Sequence, residues 1–99
     1  MGQVRFTRRA REDLIDIWLY IAERNPKIAD TIYDRIEARC GRLQTYPEIG
    51  RARPEIAKDA RSLVIDRWLL LYRVMKSGVQ VVRIIDSARD IAMIDWTPE

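Results

Sequence analysis

The chain has 99 residues, 47% of them hydrophobic, and a formal net charge of +3. That length predicts a single domain over residues 1–99 with one modest core. One cysteine excludes an internal disulfide framework, and the absence of histidine removes the commonest general base and metal ligand, so neither metal nor cofactor is expected. No apolar run approaches the roughly 18 residues of a membrane span, and Met1 to Arg5 lacks the apolar core of a secretory signal. A cytoplasmic protein without membrane contact is predicted. Fifteen arginines stand against three lysines. Guanidinium suits bidentate contact with carboxylate or phosphate, so this bias fits either an acidic partner or simply a solvated arginine-rich surface.

Gln3-Val4-Arg5-Phe6 alternates polar and apolar residues and reads as a first strand, with Thr7 placed to cap a following helix. From Arg8 to Arg24 the stripe Leu14, Ile17, Trp18, Ile21 and Ala22 has helical spacing. Asn25-Pro26 breaks it, since proline disfavours helix in the residue before it and suits the first turn of a new one. A second helix, Lys27 to about Gln44, places Ile28, Ala29, Ile32, Tyr33, Ile36, Cys40 and Leu43 on one side. Cys40 reads there as a small core hydrophobe. Arg35, Arg39 and Arg42 stack on another side, either as an ordinary solvated face or as a docking stripe.

Thr45 to Ala60 has two prolines, a glycine and no clean periodicity, which predicts a surface connection with a binding role or a short embedded turn of helix. Arg61 to Asp86 reads as three antiparallel strands with tight turns at 66–69 and 76–79, Gly78 supplying the positive φ of the second. Uninterrupted pairing then puts Arg61, Leu63, Ile65, Leu70, Tyr72, Val74, Val81, Arg83 and Ile85 on one face. The other face takes Ser62, Val64, Asp66, Leu69, Leu71, Arg73, Gln80, Val82, Ile84 and Asp86. Two largely apolar faces each require a cover. The helical hairpin supplies one, giving an α+β domain with the N-terminal strand and hairpin on a small twisted antiparallel sheet. A last short helix is predicted from Ser87 to Ile94.

Several stretches together resemble the ParE branch of the RelE/ParE toxin superfamily, the toxins of type II toxin-antitoxin pairs. They are VRFTRRAREDLIDIWLYIAERNP, then Tyr46-Pro47 with Ile49-Gly50-Arg51, the strand start Arg61-Ser62-Leu63, Leu71-Tyr72-Arg73-Val74, and Ala88-Arg89-Asp90. The resemblance implies a cognate antitoxin with an acidic amphipathic tail, and a higher-order toxin-antitoxin assembly is compatible with it. On that reading the uncovered sheet face binds antitoxin through Ser62, Val64, Leu69, Leu71, Val82 and Ile84, with Arg73 and Arg89 as carboxylate partners. Arg61, Arg83, Arg35 and Arg39 either contact the target or form internal ion pairs, with Asp13 and Asp16 as candidate partners for the first two. Trp68 and Trp96 are candidate contact anchors.

The superfamily has a ribonuclease branch that cleaves ribosome-bound mRNA with cations along the second strand, an arginine opening the third, and a tyrosine or histidine beyond the last. The matching positions here are Ala60, Ser62 and Leu69, and neither residue type follows Tyr72. Cleavage through a 2′-hydroxyl needs a base, an acid and charge stabilisation, which leucine and valine do not supply. The ParE branch shares that loss, and its members poison DNA gyrase without catalysing a reaction. It often has His-Gly before its last arginines, where this chain has Asp86-Ser87. Three classes follow: a gyrase-directed toxin held by an antitoxin, with no catalytic residues and no direct nucleic-acid binding; an mRNA endonuclease; and a non-toxic binding module.

Overall fold

The computed structural model describes residues 2–99, Ala92 by its main chain alone. Strand β1 spans Gln3–Phe6, and Thr7 turns the chain directly into helix α1, Arg8–Ala22. The Thr7 hydroxyl accepts the amide of Ala10 at 3.0 Å and donates to the main-chain oxygen of Val82 at 2.9 Å. One buried side chain thus caps the helix and ties it to the sheet. Asn25 caps α2, Pro26–Gly41, by accepting from the amide of Ile28 at 3.2 Å, and Pro26 occupies the first helical turn. The second helix ends three residues before the expected Gln44, in a 3-10 turn at Arg42–Gln44.

The segment read as a bare connection contains a two-residue strand, β2 at Arg51–Ala52, followed by β3 (Ala60–Ile65), β4 (Trp68–Met75) and β5 (Gly78–Asp86). The sheet order is β1-β5-β4-β3-β2, with β1 parallel to β5 and every other pair antiparallel. It is therefore a five-stranded mixed sheet. Ile65 faces Trp68 and Met75 faces Gly78, so each tight turn begins one residue earlier than expected. Both partners shift together, which preserves the side-chain phase between β3 and β4. Asp66 takes φ +56°, a conformation its short polar side chain tolerates. Gly78 has φ +146°, and a Cβ there would lie 1.9 Å from the Gln3 carbonyl oxygen, so β1 can dock only on glycine.

The expected faces fail beyond Val81. Tyr72 pairs with Val81 but Leu71 pairs with Arg83, so Val82 is an extra residue on β5, and Leu70 and Leu69 face Ile84 and Ile85. The bulge moves Ile84 from the predicted second face into the helix-side core and Ile85 in the opposite direction. One extra residue breaks the alternation on which the expected faces depend.

Leu14 and Ile17 of α1, Ile36 and Cys40 of α2, and Leu43 pack on Ile65, Leu70, Tyr72, Val79, Val81 and Ile84. Trp68, expected in a turn, opens β4 and is buried in this same layer at 6% exposure. Across the sheet Leu69, Leu71 and Ile85 form a second cluster, against which Ile56, Ile91, Ile94 and Trp96 pack. Around Leu69, Leu71 and Ile85 the face expected to be open is thus covered by the chain itself, while Val64 on the same face stays exposed. The predicted last helix is only a 3-10 turn at Ile91–Met93. Beyond it the chain crosses the sheet to Glu99, whose main-chain oxygen accepts from Gln80 Nε2 at 2.8 Å and Arg73 Nη2 at 3.2 Å. The Glu99 carboxylate accepts the amide of Arg8 at 2.8 Å.

Candidate partner-binding surface

The predicted antitoxin-facing residues do not form one exposed surface. Leu69 and Leu71 lie under the C-terminal strap, Ile84 faces the helices, and Val82 is the buried bulge residue. Ser62 is buried and its hydroxyl accepts from Arg53 Nε at 2.7 Å. Arg73 is half-buried: its Nε donates to Gln80 Oε1 at 3.0 Å, and it lies 3.8 Å from the Asp59 carboxylate. Val64 and Arg89 alone of the predicted set are exposed. Arg89 lines a cleft of about 450 Å³ with Arg9, Tyr20, Arg67, Trp68 and Asp86. In that cleft Arg67 pairs with Asp86 and stacks 5.0 Å from the Trp68 ring centre. The Ala88 amide and then the Arg67 guanidinium hold the Asp86 carboxyl below its ordinary range. Trp96, a proposed contact anchor, is half-buried against the second cluster.

The four arginines assigned to target or internal pairing separate cleanly. Arg83 is buried against Asp13, with Nε donating to Oδ2 at 2.7 Å and Nη2 to Oδ1 at 3.2 Å, while the same Oδ2 accepts the Ile84 amide at 3.0 Å. Buried charge is tolerated here because both ions have their hydrogen bonds made. Arg61 makes no such pair: Nη1 donates to the main-chain oxygens of Glu48 at 3.2 Å and Gly50 at 2.7 Å. Arg35 pairs with Asp66 at 2.6 Å at the surface, and Arg39 Nη2 lies 3.5 Å from the Val64 main-chain oxygen.

Arg61 belongs to a network that fixes residues 47–50. The Tyr72 hydroxyl donates to the Pro47 main-chain oxygen at 2.7 Å and accepts the Gly50 amide at 2.9 Å. Burial raises the Tyr72 pKa above its ordinary value, the Gly50 hydrogen bond and Arg61 opposing the rise. Gly50 must be glycine, since a Cβ would come within 2.7 Å of the Ser62 carbonyl oxygen and of the Tyr72 ring. The Tyr46-Pro47 and Ile49-Gly50-Arg51 stretches are therefore anchored by a buried tyrosine. Their large side chains nonetheless point outward, Tyr46 at 56% and Ile49 at 47% exposure. Both carry the family resemblance but neither belongs to the predicted antitoxin-facing set, although apolar residues in a long turn-rich connection are a readable signal.

Reactive groups are scarce. Cys40 is buried, and burial followed by the charge of Glu37 pushes its thiol up to about 12, which keeps it protonated at neutral pH. Among the described residues no cluster of three or more metal-ligating side chains occurs, and no helix is long and apolar enough to cross a membrane. The surface offers guanidinium groups and exposed apolar side chains, the chemistry of protein recognition.

A family model described as the ParE toxin of the type II toxin-antitoxin system parDE matches residues 4–91. The chain belongs to the ParE toxin family. Among its ParE relatives, Toxin ParE3 of Caulobacter vibrioides is 32% identical over 93 residues, covering 93% of both chains. Toxin RelE2 of the same organism is 33% identical over 89 residues, covering 90% of this chain and 99% of its own length. A solved structure described as the chromosomal ParDE TA system from P. aeruginosa superposes with a TM-score of 0.74 at 26% identity. It covers 87% of this chain and 96% of that one. The family match thus runs from within β1 through both helices and the remaining strands to Ile91.

Proposed function

We propose that this ParE-family chain is a cytoplasmic growth-inhibiting toxin, neutralised by a cognate antitoxin and acting on DNA gyrase by binding, without catalysis. The observation that carries the reading is the family match over residues 4–91. The geometry supports the non-catalytic part. Where the ribonuclease branch carries cations, Ala60, Ser62 and Leu69 are buried, and Ser62 and Leu69 are engaged by Arg53 and the strap cluster. The one buried phenol at hand, Tyr72, has its hydroxyl committed as donor and acceptor. A general acid-base pair is not assembled from these groups.

The test is induced expression without a partner. Growth arrest with filamentation and a DNA-damage response, with messenger RNA intact, is the expected outcome, and purified chain should inhibit supercoiling by gyrase. Ribosome-dependent mRNA cleavage would overturn the gyrase reading, and harmless expression would favour a non-toxic module.

A further inference from the structure

The outer side of α1 carries large apolar side chains that nothing in the chain covers. We infer that this side is the contact between two copies of the chain, which pair through α1 in an antiparallel, two-fold symmetric arrangement. The inference concerns the free protein and goes beyond the target reading above.

Helix α1 turns Ala10, Leu14 and Ile17 toward the core, where they are buried. On its outer side Ile15 is 56% exposed and Leu19 52% exposed. Arg11 precedes Ile15 by four residues, Glu23 follows Leu19 by four in helical backbone geometry, and both are exposed. Side chains four apart lie nearly above one another on a helix. Arg11, Ile15, Leu19 and Glu23 therefore form one ridge about 18 Å long, cationic at its start, apolar in its middle and anionic at its end. Beside it Ile15, Trp18, Asp30, Tyr33 and Asp34 line a groove of about 490 Å³ between the two helices. Trp18 Nε1 donates to Asp30 Oδ1 at 2.9 Å, which fixes the groove wall.

The ridge is its own complement. A second copy, turned by half a revolution about an axis over Ile17, sets Ile15 of one chain against Leu19 of the other. The same rotation sets Arg11 against Glu23, and each contact occurs twice. Rows of side chains four residues apart are also the ridges that interdigitate in the commonest class of helix packing. Among the described residues no ion pair within the chain engages Arg11 or Glu23. Arg11 does lie 5.3 Å from the Phe6 ring centre, a contact that uses the guanidinium face and not its N–H groups. On α2 the Trp18–Asp30 bond places Ile17 level with Thr31, midway between the exposed Lys27 and Asp34. The rotation thus brings those opposite charges toward each other as well.

Charge selects this occupant over others. An acidic segment or a nucleic acid would meet Asp30 and Asp34 along the groove. A basic segment would oppose Arg11 and Lys27. A second copy meets Arg11, Glu23, Lys27 and Asp34 each with its opposite.

Sedimentation velocity of the full chain is the test. The mass should rise from 11.7 kDa toward twice that value as concentration increases from micromolar to millimolar. Ile15→Ala with Leu19→Ala should weaken pairing at least about tenfold, whereas Tyr46→Ala, equally exposed on the loop at 45–50, should leave it unchanged. Arg11→Glu alone and Glu23→Arg alone should each weaken it on the order of tenfold, because each sets like charges together twice. An equimolar mixture of those two variants should pair as tightly as wild type, a rescue that only the inverted register provides. Thermal midpoints at the wild-type value establish that the variants are folded. A wild-type chain that stays monomeric throughout, a mixture that fails to restore pairing, or a Tyr46→Ala chain weakened as much as the double alanine variant overturns the proposal.

Discussion

The buried hydroxyl of Tyr72 donates to the main-chain oxygen of Pro47 at 2.7 Å, joining the middle of the sheet to a loop twenty-five residues earlier in the chain. The same oxygen accepts the Gly50 amide. Tyr72→Phe keeps the ring and removes both bonds, so it should cost about 1–3 kcal/mol, the penalty of leaving buried polar groups unpaired. Urea denaturation measures it, and an unchanged midpoint would show that solvent replaces the network.

Asp13 holds α1 to the bulged part of β5 through Arg83 and the Ile84 amide. Asp13→Ala should destabilise by about 3–5 kcal/mol, because it strands a buried guanidinium. Asp13→Leu combined with Arg83→Met should recover part of that loss but not all, since the Ile84 amide stays unsatisfied. A double-mutant cycle by chemical denaturation gives both numbers. Additive losses would mean that the two side chains are not coupled.

Stability should fall as the solution turns alkaline. The Cys40 thiol ionises at about 12 in the folded chain against an ordinary value of 9.0. The native state therefore keeps its proton where the unfolded chain releases it. The stabilisation is complete below about pH 9 and is lost as pH rises toward 12, at a slope of up to about 1.4 kcal/mol per pH unit. The raised Tyr72 pKa acts in the same sense. Cys40→Ala should lose stability less steeply than wild type from pH 9 upward. In the native protein a thiol reagent should react only at the rate of unfolding.

The strap prediction concerns Ile94 and Trp96, which pack against Leu69, Leu71 and Ile85. Ile94→Ala with Trp96→Ala should cost about 1–3 kcal/mol in lost burial and should bring up fluorescence from a dye that binds exposed apolar surface. The helical circular dichroism should persist, because α1 and α2 pack on the other side of the sheet. Dye binding equal to that of wild type would mean that the strap contributes no cover.

The helices were legible because Leu14, Ile17, Ile36 and Cys40 repeat at helical spacing, and because Thr7 and Asn25-Pro26 announce their starts. Both tight turns were placed within one residue by turn chemistry and strand pattern. The sheet faces were legible as far as Val81 and no further. A bulge adds no distinctive residue type, so nothing in Val81-Val82-Arg83-Ile84 marks which residue is extra. The strap escaped for a related reason: Ile91, Ile94 and Trp96 have no strand or helix period when they cross a sheet in irregular conformation. Two apolar faces correctly implied two covers, but an apolar count cannot distinguish a cover in the same chain from one in a partner. The exposed pair Tyr46 and Ile49 lay in the stretch where periodicity gives least information.

The strap changes what a free molecule of this toxin presents to its surroundings. The middle of its apolar sheet is covered on both sides by its own chain, with Glu99 fastened over Gln80 and Arg73. Leu69, Leu70 and Leu71 in the middle of the sheet are thereby kept from water within the chain itself. A chain parted from any partner therefore keeps those three leucines buried, and with them the apolar surface that would otherwise invite non-specific association.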